Sequence, residues 1–426
     1  MTINPKKIHP LFAAASAIAL PLGVQAGEGG FIADSSATLT ARNYYFSRDF
    51  SDIVGPSRQS KAEEWAQGFI LNLKSGYTPG PVGVGLDAIG LLGLKLDSSP
   101  DRAGTGLLPG AYGETAPDDY SRLGLTAKVR VSKTELRVGE LQPNVPVLVL
   151  TDNRLLPNTY QGVSISSAEI TGLTLQAGQL RSTSIRSEAG DEEIGAIVGF
   201  APQRDARARL ITSDRFNYAG GDYAFNQNRT TLSAWYGQLE NLYNQRFLGL
   251  KHSEPLGEWT LGANLGYFDS SKDGKALIGE IDNRAFYSLL SARRGGHTFF
   301  LGYQAMFGDQ GFPRVFVTVS PLGNEVPTYE FASAEERSWQ LRYDYDFAAL
   351  GVPGLIAGVR YIRGDNVDTG SFEGKDWERD LDIGYTVQSG PLKNVSVRVR
   401  NATARSNYRT DIDENRLILS YTLAVF

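Results

Sequence analysis

The stretch VSVRVRNA, residues 395–402, places Val395, Val397 and Val399 on one side and Ser396, Arg398 and Arg400 on the other. Successive side chains of a β-strand leave opposite faces of the sheet. A strand read this way has an aliphatic face and an arginine face, so it divides an apolar medium from water. The apolar medium is either a protein core or a lipid bilayer, and the rest of the chain decides between them.

The same alternation recurs along the sequence. EWTLGANLGYF (258–268) puts Trp259, Leu261, Ala263, Leu265 and Tyr267 on one face. TLTARNYYF (38–46) sets Leu39, Ala41, Asn43 and Tyr45 against Thr38, Thr40, Arg42 and Tyr44. YSRLGLTAKVRV (120–131) and KTELRVGEL (133–141) form a hairpin with Leu123, Leu125, Val129, Val131, Leu136 and Val138 on its apolar face. Lys128, Arg130 and Arg137 occupy the polar one. Residues 63–75 and 83–96 form another hairpin around the Pro/Gly turn TPGPVG (78–83). Further strands are predicted over 159–167, 170–180, 215–224, 228–239, 242–252, 258–269, 283–293 and 296–307, then 336–346, 354–363, 377–388, 393–404 and 414–425. The total is 18 strands, and bacterial single-chain membrane barrels have an even number.

Composition points to the bilayer. The chain has 426 residues and no cysteine, with 20 Tyr, 20 Phe and 47 Gly. Lys6 and Lys7, the apolar run from Leu11 to Leu22 and the small-residue site ending at Ala26 read as a secretory signal peptide over 1–26. An exported chain of this size without disulfides draws its stability from regular structure. Beyond Ala26 no stretch reaches the roughly 18 apolar residues of a membrane helix. Removal of the leader leaves 40 of the 42 basic residues against 47 acidic ones, a net charge of −7. That balance argues against nucleic acid as a partner.

Connectors alternate in length. Those at 76–82, 132–133, 225–227, 294–295, 347–353 and 389–392 are short. Those at 47–62, 97–120, 142–158, 181–214, 308–335 and 364–376 are long and polar. Short turns on one side and long loops on the other fit a transmembrane antiparallel β-barrel with extracellular loops, and a soluble sandwich has no reason for the asymmetry. Tyr343, Tyr345, Phe347, Tyr361, Trp377, Tyr385 and Tyr421 fall on the apolar face, several near strand ends, where amphipathic rings suit the membrane interface. The fold expectation is therefore all-β: one barrel domain over 27–426 in the bacterial outer membrane.

Four segments resemble the OprD-type porins, the substrate-specific outer-membrane carboxylate channels. They are RVGELQPNVPVLVLTDNRLLPNTYQG (137–162), MFGDQGFPRVF (306–316), SWQLRYDYDFAALGVPGL (338–355) and DLDIGYTVQSGPLKNVSVRVRNATAR (380–405). The resemblance spans the chain beyond the leader. It implies an 18-stranded barrel found as monomers or loose trimers, a pore narrowed by inward-folded loops, and a ladder of basic residues guiding carboxylates. One position departs from the usual pattern of such barrels: Leu417, Leu419, Tyr421, Leu423 and Val425 are in phase, while the terminal Phe426 is one residue out.

Parity assigns Lys128, Arg130, Arg137, Arg342, Arg360, Arg398, Arg400 and Arg416 to the lumen. Guanidinium groups hold carboxylates in bidentate fashion and stay charged at any relevant pH. A file of them offers an anion successive weak sites along a narrow passage. Arg398 and Arg400, two residues apart on one face, fit the ladder best. The alternative is a set of solvated charges balancing Asp344, Asp346, Asp380 and Asp382, and it stays open for the other positions. The run VPVLVL within 142–158 suits a loop folded inward onto the wall, or else an extra strand. The second candidate constriction loop is 308–335, whose Asp309 matches an acidic pore position of the family; opposite the ladder it would create a transverse field. As the Asp of a GDQG turn it is equally well a turn residue.

No catalytic, metal or cofactor signature emerges. Beyond the leader the histidines are His252 and His297, on separate hairpins. The GxSxG and HExxH patterns are absent. GVGLDAIG (83–90) has its third glycine misplaced for a dinucleotide loop. The acidic runs EAGDEE (188–193) and DIDE (411–414) lack calcium-loop spacing, and read as solvated faces or as contacts to cations and lipopolysaccharide. The expected partners are small organic carboxylates and the lipid and lipopolysaccharide of the outer membrane. A general diffusion porin is the alternative, and a barrel enzyme or adhesin a more distant one.

Overall fold

The computed structural model describes residues 30–426, so the proposed signal segment 1–26 lies outside the described residues. Eighteen strands form one closed sheet. We number them β1 (Ser36–Ser51), β2 (Lys61–Lys74), β3 (Val82–Asp97), β4 (Asp119–Val131), β5 (Thr134–Leu141) and β6 (Thr159–Ser167). There follow β7 (Leu173–Ser184), β8 (Phe216–Phe225), β9 (Thr230–Leu239), β10 (Tyr243–Leu256), β11 (Trp259–Lys272) and β12 (Asp282–Arg294). The last six are β13 (His297–Phe307), β14 (Arg337–Asp346), β15 (Leu355–Asp368), β16 (Glu373–Thr386), β17 (Ser396–Ser406) and β18 (Asp411–Ala424). Every strand pairs antiparallel with its chain neighbour, and β1 closes the barrel on β18 from Thr38 opposite Ala424 to Ser51 opposite Asp411. Closure leaves no unpaired edge, which a lipid-exposed sheet requires.

The two faces differ as the alternation requires. Val399 is 46% exposed and Leu123 72%, and Val397, Leu417 and Leu419 share their outward face. Side chains this apolar and this exposed need hydrocarbon around them. The aromatic expectation holds at Tyr361 on β15 and Trp377 on β16, and Trp339 on β14 joins them. Their rings follow one another at centroid distances of 5.6 and 5.9 Å on the outward face. The terminal strand ends at Ala424, yet Val425 N–H donates to the Ala37 carbonyl at 2.8 Å and the Phe426 carbonyl accepts from Ala37 N–H at 3.2 Å.

Inward faces are covered by loops. The segment 142–158 folds into the barrel, with Val145, Val147, Leu148, Leu155 and Leu156 buried. Leu155 packs where Gly68 of β2 carries no side chain, and Val147 does the same against Gly237 of β9. The segment 308–336 also turns inward, and its Val326, Tyr329 and Phe331 pack on Ile362 and Ala404 of the wall. A third segment, 185–215, falls almost wholly within the long connector expected over 181–214. Its Ile194–Val198 pairs with Pro313–Val315 and Thr212–Ser213 in a small separate sheet. One loop expectation fails: 364–376 is no long loop, because β15 runs to Asp368 and β16 begins at Glu373, leaving a tight turn.

Candidate functional site

The constricted lumen is built where the two inward loops meet. Val319 N–H donates to Thr151 Oγ1 at 3.1 Å, and Asn158 donates through Nδ2 to the Val317 carbonyl at 3.1 Å. The 308–336 loop is tied to the wall by Glu378 of β16, whose carboxylate accepts from the backbone N–H groups of Thr328 and Tyr329 at 3.0 and 2.7 Å. Two backbone donors on one buried carboxylate hold a loop firmly.

Beneath this crossing lies a cavity of about 620 Å³. Arg342, Arg360, Arg398 and Arg400 line it on the wall side; Asn153, Val319, Glu325 and Pro327 line it from the loops. The strand register sets the arginines side by side. Arg342 lies opposite Arg360, Arg360 opposite Asp380, and Asp382 opposite Arg400. Arg342 makes a bidentate pair with Asp344 at 2.9 and 2.6 Å. Arg360 donates to Asp380 at 2.9 Å and to the Glu325 backbone carbonyl at 2.9 Å. Arg398 grips Asp382 at 2.7 and 2.5 Å, and Arg400 donates to the same carboxylate at 2.9 Å. Arg342 and Arg360 are thus balanced one to one, while Arg398 and Arg400 share one aspartate and leave a positive surplus.

The remaining predicted positions lie elsewhere. Lys128 is buried and paired with Asp87 at 2.6 Å, its ammonium also donating to the Ser75 carbonyl at 2.8 Å. Arg130 stacks over the Tyr77 ring at 3.9 Å. Arg137 sits between Glu135 and Asp87. These three belong to the opposite wall, β3 to β5. Arg416 faces inward as parity requires, but its side chain is only 2% exposed. It pairs with Glu414 and donates to the Pro327 carbonyl at 3.0 Å, so it holds the loop from below. Asp309 is exposed beside Gly308 at the loop's start. The acidic residue of this loop that lines the arginine cavity is Glu325. Burial, with Glu330 close by, pushes its carboxyl up to about 8.

Sequence reasoning missed a second basic group. Arg48, Arg154 and Arg416 all lie over the Phe46 ring, at 4.7 to 4.8 Å from its centroid. Arg48 and Arg416 share Glu414. Among the described residues Arg154, on the inward loop, has only backbone acceptors, the Thr105 carbonyl at 3.3 Å and that of Asn153 at 3.0 Å. Nearby Arg186 donates to Asn153 Oδ1 at 2.6 Å, and burial with the fields of Arg48 and Arg416 pushes its guanidinium down to about 10. Arg154 and Arg186 sit on loops, where period-2 parity assigns no face. The run DIDE (411–414) is not a solvated face either: Glu414 is buried, and Asp411 and Asp413 hold Arg405.

A closed barrel with an apolar exterior, aromatic rings on its outward face and a loop-constricted, arginine-lined interior defines a pore-forming protein of the outer membrane. The chain belongs to the OprD family of outer membrane porins, whose description it matches over residues 29–425. It is 45% identical over 412 residues to the porin-like protein GalP of Pseudomonas putida, covering 96% of this chain and 97% of that one. Among solved structures it resembles Pseudomonas aeruginosa OccK9 (OpdG), at 50% identity and a TM-score of 0.87, over 93% of this chain and all of that one. It also resembles P. aeruginosa OpdK solved with vanillate, at 47% identity and a TM-score of 0.85, with the same coverage. These relatives are channels rather than enzymes.

Proposed function

We propose that the protein is a passive channel selective for small solutes bearing a carboxylate, with cyclic or aromatic carboxylates preferred. The observation that carries the reading is the pair Arg398 and Arg400 over the single Asp382, open to the cavity beneath the constriction. A solute carboxylate entering there exchanges with Asp382 for guanidinium donors without stripping either arginine of all its partners, so it is held and released readily. Vanillate, present in the OpdK structure, is an aromatic carboxylate. Residues 1–26 would direct export, and the barrel would act as a monomer or loose trimer, without cofactor or energy input.

Liposome swelling tests the reading. Proteoliposomes should swell faster in benzoate-like acids than in neutral sugars of similar size, and benzoate-like solutes should depress single-channel current. Equal swelling rates and an unaffected large conductance would identify a general diffusion porin instead.

A further inference from the structure

The outward face of β14 to β17 carries arginines that the channel does not use. Buried inward neighbours fix their direction. Ser338, Ile362, Glu378 and Ala404 face the loop-filled interior, so Arg337, Arg363, Arg379 and Arg405 point out of the barrel. All four lie in the extracellular half, because β14 and β16 begin and β15 and β17 end on the side of the long 308–336 loop.

The register arranges three of them in a file. Arg337 stands opposite Asp365, two residues from Arg363 on β15, and Arg363 stands opposite Trp377, two residues from Arg379 on β16. Diagonal neighbours of this kind lie about 7–8 Å apart. Trp339, Tyr361 and Trp377 interleave with the file: Trp339 lies opposite Arg363, and Tyr361 opposite Arg379. Amphipathic rings of this type mark the boundary between hydrocarbon and headgroups.

Among the described residues none of the three has a carboxylate within 4 Å. Arg379 donates only to the neutral Asn401 Oδ1 and Thr403 Oγ1, each at 2.9 Å. Arg337, Arg363 and Arg379 are all exposed. Two other outward arginines are matched. Arg405 is held by Asp413 at 2.8 Å, and Arg246 on β10 by Asp269 at 3.0 Å. Unmatched guanidinium groups at the edge of hydrocarbon are costly unless an anion of the membrane completes them.

We infer that the outward file Arg337–Arg363–Arg379, with Trp339, Tyr361 and Trp377, is a binding site for the phosphorylated disaccharide headgroup of lipid A in lipopolysaccharide. The extracellular leaflet of an outer membrane presents that headgroup at this depth. A headgroup with a phosphate at each end of a disaccharide suits a line of guanidiniums better than a single point. Guanidinium binds phosphate oxygens in bidentate fashion, and the rings offer apolar faces to the sugars. The inference rests on the outer-membrane location and not on what the pore conducts.

The test uses the full folded chain in detergent, with lipid A binding read by native mass spectrometry. Bisphosphorylated lipid A should bind, and the combined Arg337→Gln, Arg363→Gln and Arg379→Gln variant should weaken it by about tenfold or more. Arg246→Gln, on another part of the outer face, should leave binding within about twofold. The unheated gel mobility of the folded barrel reports whether the triple variant is intact. Should it fail to fold, the double variant Arg363→Gln with Arg379→Gln takes its place, with a smaller loss in the same direction. Equal binding of fully dephosphorylated lipid A, equal binding of phosphatidylglycerol, or no loss in a folded variant would each overturn the site.

Discussion

Two arginine–carboxylate–arginine groups stand on the adjoining strands β16, β17, β18 and β1, alike in chemistry and unlike in setting. Asp382 lies between Arg398 and Arg400 and is 32% exposed at the cavity. Glu414 lies between Arg48 and Arg416 and is 1% exposed beneath the 308–336 loop. Where the group faces the cavity, the surplus cation can trade partners with a passing anion. Where the loop covers it, the same surplus fastens the constriction, with Arg416 donating to the Pro327 carbonyl and Thr328 Oγ1 lying 3.4 Å from Glu414. The difference lies in what covers the arginines, not in their number.

The sharpest way to break the comparison is to make one chemical change in both groups. Glu414→Gln removes the only carboxylate that Arg416 holds among the described residues and leaves buried cations without it. Loss of one partner from a buried ion pair costs about 3–5 kcal/mol. The loop should loosen, with faster hydrogen exchange at the Thr328 and Tyr329 amides and larger current fluctuations. Asp382→Asn, in the open cavity, should cost about 1 kcal/mol or less and leave those amides protected. Equal loosening in the two variants would erase the distinction.

This contrast also marks how far the sequence could be read. Parity places Arg398, Arg400 and Arg416 on the inward face alike, and all three point inward. It carries no information on which of them a loop covers, because Pro327 is distant in sequence and meets Arg416 only once the barrel has closed. The strands were legible for the same reason: two-residue periodicity is local, and the barrel has the 18 strands it predicts. The inward fold of 142–158 was legible from VPVLVL, an apolar run that needs cover. Arg154 and Arg186 were not, because a loop has no period, and Asp309 misled because its segment turns inward only beyond it.

The next effect in size concerns the open group alone. Arg398→Ala with Arg400→Ala should move the reversal potential in a salt gradient toward cation preference, since Asp382 then stands uncompensated. Uptake of carboxylates should fall about tenfold, the loss of one bidentate charge-assisted site. The thermal midpoint of the folded barrel should hardly change. An unchanged reversal potential would mean that these arginines only balance the wall.

The smallest effect is a titration at the boundary between the two settings. Glu325 lies on the covering loop, lines the open cavity, and faces Arg314, Arg360 and Glu330, with the Ser320 N–H donating to its carboxylate at 3.2 Å. Its carboxyl is pushed up to about 8, so at pH 7 it is mostly protonated and the cavity keeps its cationic surplus. As pH rises through 8 it ionises and sets a negative charge opposite Arg398 and Arg400. Anion preference should therefore decline between about pH 7 and 9, the span of one titration around that value. Glu325→Gln should abolish the decline and hold the high preference throughout. A profile that falls equally in Glu325→Gln would trace the change to another group and leave the loop face of the cavity electrically silent.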